Sequence, residues 1–145
     1  MLIGEYNHTV DSKGRVSVPA KFRNELGDSF IMCKGLDKCI WVYPQDAWKE
    51  LAAKIKSLPT TDRNARRFSR FILGSACECS PDKQGRTNVS QPLREYAGIT
   101  KDIVVVGVED KVEIWDKAQW DSFNDMSDDD INDVAQEMYE AGISI

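Results

Sequence analysis

Two short motifs supply the side chains in this chain that are best suited to binding chemistry. Residues 11–15 read Asp-Ser-Lys-Gly-Arg, and residues 82–86 read Asp-Lys-Gln-Gly-Arg. Arginine offers a planar fork of donors that fits both phosphates and base edges, and an aspartate four residues earlier can pair with it and fix its direction. That pairing also weakens the positive field of the arginine. One such motif is more typical of a solvated hairpin turn, but two at equivalent points of a repeat favour a binding role.

The two motifs belong to an internal repeat with an offset of 71 residues, counted from Asp11 to Asp82. Matches spread over some 30 residues, with small slips in the loops, indicate a duplicated supersecondary unit. The matched residues include Val18/Val89, Phe22/Leu93, Arg23/Arg94, Gly27/Gly98 and Ile40-Trp41/Ile114-Trp115.

Each unit is predicted to be rich in strands. Alternating apolar residues before and after each motif predict two strands joined by a turn, in which Gly14 or Gly85 adopts positive φ. A short helix follows from Pro19 to Leu26 and ends at Gly27, and its second copy ends at Gly98. Two more strands complete each unit, near Phe30–Lys34 and Cys39–Tyr43 in the first, and Ile103–Gly107 and Val112–Trp115 in the second.

Four further helices are predicted between and after the units. Pro44 opens one, Asp62 and Asp116 can cap two others, and residues 128–130 begin a fourth that ends at Gly142. The helix after Asp62 carries a broad basic face. The sequence leaves open whether this face is solvated, pairs with acidic residues of a neighbouring copy, or contacts DNA. Its members are Arg63, Arg66, Arg67 and Arg70.

Composition limits the class of protein. The chain has 145 residues, of which 41% are hydrophobic and 30% charged, and no apolar run approaches the ~18 residues of a membrane span. The first residues do not resemble a secretory signal, so we expect a cytoplasmic protein. Nucleotide-binding and metalloprotease motifs are absent and His8 is the only histidine, so we predict neither an enzyme nor a cofactor. The four cysteines are expected to be buried small apolar residues, with a metal site or a redox pair as alternatives.

Charge is distributed unevenly along the chain. The total is −5, but residues 1–98 carry 16 Lys and Arg against 11 Asp and Glu, whereas residues 99–145 carry 3 against 13. A basic body with an acidic C-terminal segment is compatible with a nucleic-acid partner.

Four stretches of the chain resemble the MraZ family. They are residues 6–23, residues 74–79 with the second motif, residues 93–99, and Glu-Ile-Trp-Asp at 113–116. The resemblance covers residues 1 to about 120. It implies two AbrB-like (SpoVT-AbrB) swapped-hairpin units, a homo-oligomeric ring, and transcriptional regulation of the division and cell-wall gene cluster. Binding to repeated operator elements upstream of the family member's own operon is also implied, with the D-x-x-x-R motifs contacting DNA. The sequence departs from the family at Thr87-Asn88-Val89-Ser90, where the family has an apolar run ending in proline.

These observations predict a mixed α/β (α+β) protein with two tandem swapped-hairpin units in a pseudo-two-fold barrel and flanking helices. The expected boundaries are 1–58 for the first unit, 59–74 for a connecting basic helix, 75–125 for the second unit and 126–145 for an acidic helix or tail. We expect this tail to be dispensable. The alternative is that its apolar stripe docks on the body or on a neighbouring subunit.

The predicted function is sequence-specific DNA binding by a nucleoid-associated ring, without membrane contact. The alternative is a ring scaffold or protein-interaction hub that does not bind specific DNA. The predicted DNA-binding residues are Arg15, Arg86, Lys13 and Lys83, and the predicted supporting residues are Asp11, Gly14, Asp82 and Gly85.

Overall fold

A computed structural model describes residues 1–143, which form eight strands and six α-helices. The first unit contains β1 (Leu2–Thr9), β2 (Arg15–Ser17), α1 (Ala20–Leu26), β3 (Phe30–Lys34), β4 (Ile40–Pro44) and α2 (Gln45–Lys56). Helix α3 (Arg63–Leu73) leads into the second unit. That unit contains β5 (Cys77–Cys79), β6 (Arg86–Asn88), α4 (Gln91–Ala97), β7 (Asp102–Glu109), β8 (Val112–Asp116) and α5 (Lys117–Phe123), and α6 (Asp128–Glu140) follows it.

The helix boundaries follow the capping signals of the sequence. Asp62 accepts hydrogen bonds from two backbone N–H groups at the start of α3, and Asp116 accepts one from Gln119 at the start of α5. Ser90 caps α4 in place of a proline by accepting from the backbone N–H of Leu93. Helix α6 is capped by Ser127, one residue before the predicted acidic start.

The two units exchange strands. The main sheet has six antiparallel strands in the order β1-β7-β8-β4-β3-β5. Strand β1 of the first unit therefore pairs with β7 of the second, and β5 of the second pairs with β3 of the first. The central pairing of β4 with β8 sets Ile40 opposite Ile114, its repeat equivalent. This register indicates a pseudo-two-fold axis at the centre of the sheet.

A second sheet contains only β2 and β6, which pair with each other. Val16 lies opposite Thr87, its repeat equivalent, so the pseudo-two-fold relation holds here as well. The mixed α/β fold with two repeated units is confirmed, but the predicted pseudo-two-fold barrel is not closed, because β1 and β5 remain at the two edges of the main sheet. Strands β2 and β6 have three residues each and pair only with each other, so they do not join those edges.

One core cluster lies between the two sheets and is built by both units. Phe22, Leu93 and Ile103 are among its fully buried members. Three of the four cysteines are buried and Cys77 is half-buried, and all four are free thiols. Burial raises the pKa of Cys33 to about 12, which suits a small apolar packing residue rather than a reactive thiol. No helix within residues 1–143 is long and apolar enough to cross a bilayer.

Candidate nucleic-acid interface

The first motif forms a tight loop, loop 1 (residues 11–15), that is organised by one carboxylate. Oδ1 of Asp11 accepts hydrogen bonds from the backbone N–H groups of Lys13 and Arg15, both at 2.9 Å. Its Oδ2 accepts from Nε of Arg15 at 2.8 Å. The predicted pairing of the aspartate with the arginine is therefore present, and it fixes the direction of the guanidinium.

The second motif, loop 2 (residues 82–86), repeats this geometry. Oδ1 of Asp82 accepts from the backbone N–H groups of Gln84 and Arg86 at 2.9 Å, and Oδ2 accepts from Nε of Arg86 at 3.0 Å. The two loops are presented alike, although the residues that follow loop 2 are more polar than those that follow loop 1. The backbone N–H of Arg15, followed by its guanidinium, lowers the pKa of Asp11, and Arg86 does the same for the pKa of Asp82.

Each loop is supported by the opposite unit. Gly14 has φ of 78°, and a Cβ atom there would lie 2.9 Å from Cζ of Arg94 on α4. The carbonyl of Gly14 accepts from the backbone N–H of Val89 at 2.9 Å, and Nε of Arg94 donates to the carbonyl of Val89 at the same distance. Glycine adopts this positive φ without strain and leaves free the space that the guanidinium of Arg94 occupies.

The same support is found at loop 2. Gly85 has φ of 77°, and a Cβ atom there would lie 2.5 Å from Cζ of Arg23 on α1. Sequence reasoning missed Arg23 and Arg94 as parts of the site. Their equivalence in the repeat was visible, but the crossing of each arginine to the opposite loop depends on the exchange of strands.

The pairing of β2 with β6 brings the two motif arginines onto one surface. Arg15 lies opposite Asn88 and Ser17 lies opposite Arg86. Directly paired side chains of a sheet point to the same side, and side chains two residues apart do so too. One side of this two-stranded ribbon therefore carries four polar residues, which we call the ribbon face. Its members are Arg15, Ser17, Arg86 and Asn88.

The ribbon face is backed by a buried layer. Val16 and Thr87 alternate with its members and are each 3% exposed. Arg15 and Arg86 are diagonal neighbours across the ribbon, a relation that places Cα atoms about 7–8 Å apart. Sequence reasoning missed Ser17 and Asn88, although they are repeat equivalents and each lies two residues after a motif arginine.

The predicted site residues occupy different parts of this surface. Arg15 and Arg86 do not lie at the loop tips, because each is the first residue of a strand, and each is half-buried and paired with its aspartate. The exposed tips carry Lys13 and Lys83. Since β2 and β6 are antiparallel, these lysines lie toward opposite ends of the ribbon.

Other candidate groups are not members of the ribbon face. The four arginines of α3 are exposed, and none forms an ion pair within residues 1–143, although Arg66 donates to the carbonyl of Thr60. In the same part of the chain, no group of three or more His, Cys, Asp or Glu residues is placed to hold a metal ion.

Comparison with known proteins places this architecture in a family. The sequence model described as "MraZ protein, putative antitoxin-like" matches the chain twice, at residues 1–71 and 72–141. The chain belongs to the MraZ family. The two matches confirm the internal repeat, and the second extends to residue 141, so the prediction that the resemblance ends near residue 120 is wrong.

Relatives share the whole length of the chain. "Transcriptional regulator MraZ" of Clostridium acetobutylicum is 52% identical over 143 residues, which are 99% of this chain and 100% of the relative. The proteins of the same name from Alkaliphilus metalliredigens and Clostridium tetani are each 50% identical over the same shares. The acidic C-terminal helix therefore lies inside the part shared with these MraZ proteins.

Proposed function

We propose that this protein is a sequence-specific DNA-binding transcriptional regulator that reads DNA through the ribbon face. It acts as a homo-oligomeric ring on repeated operator elements upstream of its own operon, in the division and cell-wall gene cluster. The observation that carries the proposal is the pairing of β2 with β6, which gathers both motif arginines on one polar surface. A regulator of this kind works in the cytoplasm, on the nucleoid.

The ribbon face has the shape and chemistry for the major groove. The groove is about 12 Å wide and admits a two-stranded β-ribbon. Arginine pairs with the O6 and N7 atoms of guanine, asparagine pairs with adenine, and serine can contact several bases. Arg15 and Arg86 are thus matched to guanines and Asn88 to an adenine. Lys13 and Lys83, at the exposed tips, are suited to the flanking phosphates.

The aspartates orient the motif arginines without using all of their donors. Each ion pair engages Nε, and within residues 1–143 neither Nη atom of Arg15 or Arg86 donates a hydrogen bond. The terminal nitrogens therefore remain for a base edge. A side chain fixed before binding loses less conformational freedom on binding, so orientation by Asp11 and Asp82 supports affinity as well as specificity.

Assembly into a ring increases the affinity for DNA beyond that of a single ribbon. One chain offers one short ribbon, and its net charge of −5 opposes approach to DNA. Linking several ribbons raises the effective concentration of each next contact, provided that the operator repeats match the spacing of the subunits. A scaffold without specific DNA binding is the second candidate, and the same net charge favours it.

The test measures binding to a duplex that carries the repeats upstream of the protein's own gene and to a scrambled duplex of equal composition. We expect saturable, selective binding that weakens as salt rises. Arg15→Ala and Arg86→Ala should each reduce operator affinity about 5-fold or more, because a base contact contributes ~1–3 kcal/mol. Arg67→Ala is the comparator, since this exposed arginine lies on α3. Equal binding to both duplexes would favour the scaffold, and an equal loss with Arg67→Ala would place the DNA elsewhere.

A further inference from the structure

Within residues 1–143, the last helix contributes no buried residue to the core. Helix α6 has 13 residues and none of them is buried. Its apolar side lies at Ile131, Val134, Ala135 and Met138, and Ile131 and Val134 are 46% and 40% exposed. An isolated helix of this length is marginal in water, so a stable α6 needs a surface to pack against.

The repeat shows what kind of packing α6 lacks. In each unit the last strand leads directly into a helix, β4 into α2 and β8 into α5. The next helix along the chain is α3 after the first unit and α6 after the second. Helix α3 buries Ile72 completely, in a cluster that also includes Ile55 of α2. Helix α6 has no such buried residue, so the equivalent packing is missing in the part of the chain that the structure describes.

A groove between α2 and α3 has the complementary character. It has a volume of about 400 Å³ and an apolar lining that includes Ala52, Ile55, Leu58, Ala65 and Leu73. Cationic side chains complete its lining, namely Lys56, Arg66 and Arg70. Leu58 is 38% exposed, so apolar surface remains uncovered in the single chain.

The charge of α6 is opposite to that of the groove. Residues 126–145 contain no lysine or arginine, and their six acidic residues are Asp128, Asp129, Asp130, Asp133, Glu137 and Glu140. At 100° per residue, Asp128 borders the apolar stripe next to Ala135, and Asp130 and then Glu137 follow beyond Val134 on its other side. Asp129 and Glu140 lie on the far side. An apolar stripe with acidic borders therefore matches an apolar groove with cationic borders.

We propose that α6 of one copy docks in the α2–α3 groove of a neighbouring copy. The occupant is a second copy of this chain, because charge complementarity and the missing packing of α6 are both satisfied by surfaces of the chain itself. The contact joins different surfaces of the two copies, so it is head-to-tail and closes into a ring when the rotation between copies allows. The proposal rests on the ring assembly of the proposed function and identifies the surfaces that hold it together.

The lengths of the partners agree. At a rise of 1.5 Å per residue, the 13 residues of α6 extend about 20 Å and the 11 residues of α3 about 16 Å. The apolar stripe itself, from Ile131 to Met138, extends about 10 Å and can therefore follow about two-thirds of α3. The proposal replaces the expectation that the acidic tail is dispensable.

The first experiment changes the groove in the full chain. Arg66→Glu/Arg70→Glu reverses two charges that line the groove, and Arg63→Glu/Arg67→Glu is the matched control on the same helix outside the lining. All four side chains are exposed, so circular dichroism should show a folded protein in each case. By native mass spectrometry and light scattering, we expect the first variant to dissociate at a protein concentration at least 10-fold higher than the wild type and the control.

The second experiment restores the contact with reversed charges. Asp128→Lys/Glu137→Lys should weaken assembly as strongly as the groove variant does, whereas Asp129→Lys/Glu140→Lys should not. Combining Asp128→Lys/Glu137→Lys with the groove variant should recover oligomers, because the two signs are exchanged. Failure of this combination to assemble better than either parent would contradict the proposed contact.

A photo-crosslinking amino acid at Val134 identifies the contact directly. In a mixture of light and heavy isotope-labelled full-length chains, we expect mixed crosslinks to residues of the α2–α3 groove. Crosslinks confined to another surface, or found only within one chain, would overturn the proposal even if the ring is intact. A wild-type monomer would overturn the docking and the ring together, while DNA binding through the ribbon face is judged by the separate duplex assay.

Discussion

Hydrogen bonds and close contacts of single residues link the two units at the loops. Gly14 accepts a hydrogen bond from Val89, Gly85 accepts one from Val18, and each glycine lies under an arginine of the opposite unit. A loop that one unit supplies is thus held by a helix of the other. At this scale the loops depend on glycine for space as much as for backbone conformation.

Gly14→Ala should therefore lower the free energy of unfolding by about 1–2 kcal/mol, the usual cost of a left-handed backbone for a residue that has a Cβ atom. The close contact of the new Cβ atom with Arg94 should add to this loss. Chemical denaturation measures the free energy of unfolding. A double-mutant cycle with Arg94→Ala separates the two causes, because removing the guanidinium relieves the contact but leaves the backbone strain. We expect the double variant to lose less than the sum of the single losses, and strict additivity would contradict the contact.

The loop aspartates should make stability depend on pH. The backbone N–H of Arg15, followed by its guanidinium, holds the pKa of Asp11 below the ordinary value of 3.8. A carboxyl with a lowered folded pKa stabilises the native state above the unfolded pKa and loses that contribution as pH falls through the folded pKa. The stability advantage of the wild type over Asp11→Asn should thus be full at neutral pH, begin to fall as pH approaches 3.8, and disappear only as pH falls through the lower folded pKa of Asp11. Asp82→Asn should behave alike, and a pH-independent difference would contradict this origin.

At the scale of elements, the exchange of strands is the feature that sequence reasoning could specify least. The strand Phe30–Lys34 and the helix starts after Pro19, Pro44, Asp62 and Asp116 were predicted correctly, because caps and periodicity are local signals. Strand β7 was predicted too short. It extends to Glu109 because its whole length pairs with β1, and such a partner in the other unit leaves no local signal.

The candidate site shows the same division between local and long-range information. The Asp–Arg pairs were predictable from a spacing of four residues. The ribbon face was not, because alternation along Arg15-Val16-Ser17 shows which side chains share a side but not which strand lies opposite. Arg23 and Arg94 were missed for the same reason, since each reaches a loop that is distant in sequence.

The central pair of strands, β4 and β8, should be needed for folding but should not contribute to DNA recognition. Ile40 and Ile114 face each other and are 0% and 3% exposed. Ile114→Ala should cost ~2–5 kcal/mol of unfolding free energy through lost burial and a residual cavity. Val108→Ala is the control, because Val108 is 40% exposed and lies on β7. Below its melting temperature Ile114→Ala should keep the operator affinity, and a variant with parental stability but lost DNA binding would contradict its role in the core.

At the scale of the whole molecule, the balance of charge changes along the chain. The ribbon face and its lysine tips lie in residues 1–98, where basic residues outnumber acidic ones, while residues 126–145 in and around α6 carry six acidic residues and no lysine or arginine. In the proposed ring each α6 is neutralised by the arginines of the next copy. Its negative charge is then screened from DNA, and assembly and DNA binding support each other.

Variants that remove phosphate contacts and variants that remove base contacts should be distinguishable. The first should change how affinity depends on salt, and the second should change the preference for the operator sequence. Lys13→Gln removes an exposed charge at a loop tip, so affinity for operator and scrambled duplexes should fall by the same factor. The slope of log affinity against log salt should decrease by about 0.9 for each phosphate contact that is lost, multiplied by the number of subunits engaged. Asn88→Ala removes no charge, so it should leave the slope unchanged and reduce the preference for the operator. A salt slope that changes with Asn88→Ala, or a selectivity that changes with Lys13→Gln, would reverse the roles assigned to the ribbon face and its tips.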